Sequence, residues 1–255
     1  MYIHNLKMII LSILFFVTAL IYSSVGFGGG STYLAILLIW GVPYTIFPVI
    51  ALVCNIIVVS GNSINFIRSK NINFNLLFPY LIGSIPFAFI GGSITIEKSL
   101  FEILLFCVLL FAGIFLLIES KSFNKEKIKI NQIPRLISIS IGSIIGFMSG
   151  LVGIGGGIFL SPLLFLMKAG YPRHITSSAS LFILINSIFG IAGQLTKDQV
   201  LDQVINYWPL FLTVLIGGQI GSLLNINFLS NKILAILTSF LVIFVAIRMG
   251  IKLVA

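Results

Sequence analysis

The sequence predicts an all-α integral membrane protein of about eight transmembrane helices. They form two homologous halves, each carrying a glycine-rich broken or re-entrant segment. Three observations predict this. Of the 255 residues, 58% are hydrophobic and 8% charged, with a mean hydropathy of +1.18, whereas soluble domains carry about a quarter charged residues. Apolar runs of about 20 residues recur along the chain, the length a helix needs to cross a hydrocarbon core. Finally, the stretch SSVGFGGGSTYL at 23–34 returns as GLVGIGGGIFL at 150–160.

Taken in order, the apolar runs between polar punctuation give spans near 7–26, 45–66, 74–94, 99–119, 135–154, 174–194, 204–224 and 230–250. The first resembles a signal peptide, with Lys7 before the run Met8–Tyr22 and Ser23–Ser24 after it. Its recurrence in mid-chain keeps it in the mature protein. Gly30–Trp40 and Gly157–Met167 are also apolar but short. At 1.5 Å per residue a helix of that length reaches about half of a ~30 Å core, which favours eight spans and two re-entrant pieces.

The halves are 1–120 and 134–255, joined by a charged linker over 121–133. At an offset of 127, Val25, Gly26, Gly28, Gly29, Gly30 and Leu37 match Val152, Gly153, Gly155, Gly156, Gly157 and Leu164. At 129, Gly41, Pro43, Ile46, Leu52 and Gly61 match Gly170, Pro172, Ile175, Leu181 and Gly190. Farther on, Pro79, Ile90 and Gly91 match Pro209, Ile220 and Gly221.

The net charge of +9 reads as loop lysines and arginines on a cytoplasmic face rather than as a nucleic-acid surface. With eight spans, Lys7, Arg68, Lys70, Lys121, Lys125, Lys127, Lys129, Arg135, Lys197, Arg248 and Lys252 share one face. Lys98, Lys168, Arg173 and Lys232 share the other. The linker and both termini are then cytoplasmic. If the short pieces cross fully, the chain has ten spans and inverted halves, and the termini lie outside while the linker stays cytoplasmic.

Enzymatic chemistry is not expected. The glycine clusters lead into Ser31–Thr32 and Ile158–Phe159 rather than the Lys-Ser/Thr of a phosphate-binding loop. Asp198 and Asp202 sit in a loop, and Glu102 reads as a helix-end acid. Cys54 and Cys107 lack the spacing of a metal or redox pair, so neither cofactor nor metal is implied.

A duplicated bundle with interrupted helices at matching positions is the pattern of a secondary transporter, whose sites lie near the midplane. Unpaired N–H groups at helix starts carry partial positive charge and suit anions. The candidate substrate site is therefore Gly26, Gly28, Gly29, Gly30 and Ser31 with Gly153, Gly155, Gly156, Gly157 and Ser161. The in-span amides Asn55, Asn186 and Gln194 join them, and Arg173 and His174 could attract anions at the outer mouth. Close helix packing is the competing role of the glycines, and interhelical hydrogen bonding that of the amides. The expected partners are a small anionic substrate and the lipid bilayer. No buried acidic relay marks a coupling proton, and no feature fixes the oligomeric state.

SSVGFGGGSTYLAILLIWGVP and GLVGIGGGIFLSPLLFLMKAGYP, followed by ITSSAS, resemble the paired signatures of the TauE/SafE sulfite exporter family, the TSUP permeases. Leu34–Ala35 depart from the pattern, standing where the second half has Ser161–Pro162. The resemblance implies a permease of the bacterial inner membrane for small sulfur-containing anions such as sulfite, thiosulfate or organosulfonates, in either direction. A membrane scaffold and an anion channel are the alternatives.

Overall fold

The computed structural model describes residues 2–122, 130–197 and 200–224, with 240, 243–244, 246–247 and 250–251. Among these residues the regular structure is all helical: α1 Tyr2–Ser24, α2 Gly30–Ile39, α3 Phe47–Arg68, α4 Phe74–Ser93, α5 Lys98–Ser122, α6 Arg135–Val152, α7 Gly157–Leu166, α8 Pro172–Gln194, α9 Val200–Val204 and α10 Trp208–Leu224. Six helices are long and apolar enough to cross a membrane. The fourth expected span coincides with the 25-residue α5, and the eighth lies largely outside the described residues. Large apolar side chains such as Ile13, Phe78, Phe111, Ile144 and Leu215 face outward, a surface suited to lipid.

Local sequence sets the helix ends. Pro48 and Pro172 occupy first-turn positions, where a missing N–H costs nothing. Asn73 caps α4 by accepting from the Leu76 N–H at 3.2 Å. The two short helices are built alike. Each has ten residues and starts after a left-handed glycine, Gly29 (φ 85°) or Gly156 (φ 80°). Each ends in the same hydrogen-bond pattern: Gly41 N–H to Leu38 O and Val42 N–H to Leu37 O, against Lys168 N–H to Phe165 O and Ala169 N–H to Leu164 O. The backbone thus pairs Gly41 (φ 69°) with Lys168 (φ 52°), not with Gly170 as the letters do.

Helix directions follow from which residues touch. Gly142, Gly146 and Gly150 of α6 lie against Tyr80, Ser84 and Ala88 of α4 in ascending order, so these helices run parallel. Gly217 and Gly221 of α10 lie on Phe16 and Leu20 of α1, also parallel. Gly92 meets Gly190 and Gly193, aligning α4 with α8, while Gly218 meets Val58, aligning α10 with α3. Between the two sets the sense reverses. Gly190 packs on Leu52 and Ser63 faces Ser180, so α3 and α8 are antiparallel. Hence α1, α3 and α10 point one way and α4, α6 and α8 the other.

This corrects the expected eight-span arrangement. The starts of α1 and α3 share a face, where Met8, Pro43 and Ile46 line one cleft, and their ends meet where Asn62 donates to Ser23. The segment between them, α2 included, therefore carries the chain back across. The length argument failed because it counted the helical turns alone. The three residues 27–29 and the turns at either end supply the rest of the pass. The same holds for α7. The first helix consequently starts on the face opposite the linker. Lys197, expected with the linker, lies on the far face beside Tyr44 and Gln203. Lys168, expected opposite, accepts through its carbonyl from Asn131 N–H at 3.0 Å, at the linker's edge.

The glycine rows explain the packing. Lipid tails are as apolar as leucine, so membrane helices associate through close contact and hydrogen bonds rather than hydrophobic burial. A Cβ at Gly150 would collide with the Ala88 carbonyl, and one at Gly142 with that of Tyr80.

Candidate functional site

The two glycine stretches meet at one residue, Asn55 of α3. Its Nδ2 donates to the Ile154 carbonyl at 3.1 Å, tying the first half's α3 to the second half's glycine stretch. A Cβ on Gly30 would stand 2.5 Å from that carbonyl and 2.7 Å from Asn55 Nδ2. One on Gly155 would stand 2.6 Å from Asn55 Nδ2 and 3.1 Å from Ser187 Oγ. Gly28 closes on Asn55 Oδ1, and Ile183 of α8 touches Gly28, Gly155 and Gly157. Side chains on Gly30 or Gly155 would hold the two strands of backbone apart.

Both short helices begin here. Neither Gly29 nor Gly156 has a side-chain cap, so the first-turn N–H groups lack the acceptor a Ser, Asp or Asn would give, although in α7 the Phe159 N–H donates to Gly156 O at 3.1 Å. α2 runs from this crossing toward one face, beside α1, and α7 toward the other. Two positive helix ends therefore converge at mid-depth. The surrounding polar atoms are also under-used. Asn55 Oδ1, Ser187 Oγ, Asn186 Oδ1 and Ser31 Oγ are buried with no hydrogen-bond partner, and Asn55, Asn186 and Ser187 have no solvent exposure. An unmade bond at a buried polar group costs about 1–3 kcal/mol, and of these atoms Asn55 Oδ1 and Ser187 Oγ lie at the crossing itself, beside Gly28 and Gly155.

The remaining sequence candidates divide. Gly26 turns the chain after α1 and lies on Phe66, while Gly153 caps α6 and packs on Pro48. Both shape the approach rather than touch Asn55. Ser161 is buried within α7. Asn186 gives its Nδ2 to Phe182 O of its own helix at 2.9 Å. Gln194 is not at the crossing: its Nε2 donates to Gly150 O at 2.8 Å and its Oε1 accepts from Lys197 Nζ at 2.9 Å, at the end of α8.

Arg173 and His174 lie on the linker's face, not at a mouth on the opposite side. Asn71, with its amide turned to satisfy both atoms, accepts from Arg173 Nε at 3.3 Å and Nη2 at 3.2 Å. Ser187 was not among the sequence candidates. Its letter gave no signal beyond following Asn186, and only the fold brings it to Gly155.

Among the described residues no cluster of His, Cys, Asp or Glu could hold a metal ion. Cys54 and Cys107 are both free thiols.

Comparison with known proteins places the chain in a family. The family model for the sulfite exporter TauE/SafE matches residues 11–249. The probable membrane transporter protein y4hK of Sinorhizobium fredii is 29% identical over 233 residues, covering 91% of this chain and 93% of its own. YunE of Bacillus subtilis, also named a probable membrane transporter protein, is 21% identical over 268 residues, covering 93% and 96%. MJ0441 of Methanocaldococcus jannaschii, likewise named, is 31% identical over 206 residues, covering 74% and 73%. No solved structure matches the chain. On the family match over residues 11–249, the chain is a membrane transporter of the sulfite exporter TauE/SafE family.

Proposed function

We propose that the protein is a secondary permease for a small anion, one containing sulfur such as sulfite, thiosulfate or an organosulfonate, bound at the Asn55 crossing. The observation that carries this is the pair of uncapped helix starts, one from each half, converging on the Asn55 crossing beside the unpartnered hydroxyl of Ser187. Such a site offers N–H and O–H donors to an oxyanion without burying a lysine or arginine, which would be costly in the bilayer. Cations meet two positive dipole ends. The sulfur preference follows the family's name alone.

The moving units are the halves 1–120 and 134–255, joined by 121–133. Each half packs on the other through equivalent pairs, α4 on α6 and α1 on α10, so a rocking motion that opens one pair's end closes the other's. This is alternating access around a fixed centre. Among the described residues Arg68, Lys70, Arg135, Lys168 and Arg173 share the face on which α5 ends and α6 begins, against Lys7, Lys98 and Lys197 opposite, a bias that supports a cytoplasmic linker face. An inner-membrane location follows the family resemblance alone.

The test is flux of labelled sulfite, thiosulfate and methanesulfonate in proteoliposomes, with and without a proton gradient, for the wild type and Asn55→Leu. Saturable flux that Asn55→Leu loses, with the variant folded by its thermal melt, is expected. Unchanged flux in the folded variant rejects the site. Flux that does not saturate favours a channel, and no flux of any probe favours a scaffold.

A further inference from the structure

On the face away from the linker, a cavity of about 170 Å³ lies among the ends of α4, α6 and α8 and the starts of α3 and α5. Its lining includes Thr45, Pro48, Leu151, Gln194, Lys197 and Gln203. Gln194 is held at both ends, by Gly150 O and by Lys197 Nζ, so its amide orients the ammonium group toward the cavity rim. An ammonium carries three donors, and this hydrogen bond uses one. Among the described residues no carboxylate lines the cavity, and Tyr44 is the other titratable group that does. Glu97 and Asp202 stand next in sequence to the lining residues Ile96 and Gln203 without lining it themselves. Burial lowers the Lys197 pKa to about 8. A half-buried cation with no counter-charge among the described residues is stabilised by an incoming anion.

The cavity also adjoins the central crossing. Its wall residue Pro48 packs directly on Gly153, two residues before Gly155, which touches Asn55. We propose that this cavity is a second anion site, a staging position where Lys197, steered by Gln194, holds a small oxyanion before it passes Pro48 and Gly153 to the centre. Its role as a stage on the route rests on the reading of the crossing as the transport site; its binding of anions does not. The volume suits the class, since a water occupies about 30 Å³ of liquid and the cavity takes an oxyanion with a few waters.

The test is acetylation of the purified protein by a limiting amine-reactive ester near the Lys197 pKa of about 8. The rate at each lysine is read by peptide mass spectrometry. Sulfate and methanesulfonate are the probes, with gluconate holding ionic strength constant. The expected result is several-fold slower acetylation of Lys197 with the probes and no change at the exposed Lys98, with protection lost in Gln194→Leu. Equal rates at Lys197 with and without probe overturn the proposal, as does equal slowing at Lys98, which would mark a general salt effect.

In proteoliposomes Lys197→Met should raise KM from that face and leave kcat, and Lys197→Arg should restore KM. Wild-type KM should climb as the pH on that face passes about 8, where the amine loses its charge, and Lys197→Arg should flatten that rise. Unchanged KM in Lys197→Met removes the staging role. Asn55→Leu separates the two readings: Lys197 protection should survive there while flux is lost.

Discussion

Gly30→Ala is a small perturbation aimed at the crossing. In isolation it should help, because alanine is about 1 kcal/mol better than glycine in a helix. Gly30 has no unusual backbone angle, so strain does not enter. The new methyl would stand 2.5 Å from the Ile154 carbonyl and 2.7 Å from Asn55 Nδ2, against ordinary contact from 3.4 Å. The nearest neighbour is backbone, so one chain must retreat by roughly 0.9 Å, at an overpacking cost of about 1–3 kcal/mol. The Asn55–Ile154 hydrogen bond, now 3.1 Å, stretches beyond useful length. If the retreat of the α2 start also takes one donor from the bound anion, the loss of about 1.5–3 kcal/mol corresponds to roughly 10- to 150-fold in affinity. The assay is saturable anion flux in proteoliposomes, with the thermal midpoint measured on the same preparation. Gly170→Ala is the control, since the nearest atom there is a Leu76 methyl at 3.4 Å. Wild-type KM and kcat in Gly30→Ala would refute the claim that the two glycine stretches form the site.

Three further outcomes follow from the same geometry. Single cysteines at Lys7 and Arg135, on a background lacking Cys54 and Cys107, should react with an impermeant maleimide from opposite sides of the membrane; labelling from one side would reject the inverted arrangement. Gly150→Ala drives a methyl into the Ala88 carbonyl and should lower the thermal midpoint sharply, whereas a midpoint within a degree of wild type would mean α4 and α6 do not pack this way. Asn73→Ala removes a cap of about 1 kcal/mol at an exposed helix start, so it should lower the midpoint slightly and leave flux unchanged; loss of flux would show that the α3–α4 turn takes part in transport.

The helical class was legible because the composition leaves few alternatives, and the duplicated G-x-G-G-G marked where both ten-residue helices start. Direction was not. Span counting treats a crossing as one continuous helix, and the passes through Gly28–Gly30 and Gly155–Gly157 combine bare backbone with a half-length helix. Register at the repeat was misread for a related reason. Letters pair Gly41 with Gly170, yet the left-handed position after α7 is filled by Lys168, a residue that a glycine search passes over. At the site, Asn55 stood out as a polar letter in an apolar run. Ser187 did not, and Gln194 was drawn in by its amide although its bonds hold it at the end of α8.

The interleaving of the halves also governs the order in which the protein can be made. α4 and α6 are separated by one helix and the linker, so they can join soon after synthesis. α1 is the first helix to emerge, yet its partner α10 ends at Leu224, and Ser23 Oγ finds the Gly218 carbonyl at 2.6 Å only then. Through most of translation the N-terminal helix, already held by α2 and α3, therefore keeps its α10-facing side open to lipid or to an insertion factor. A chain stopped before Trp208 keeps the α4–α6 seam but leaves that side of α1 uncovered, a natural substrate for membrane quality control.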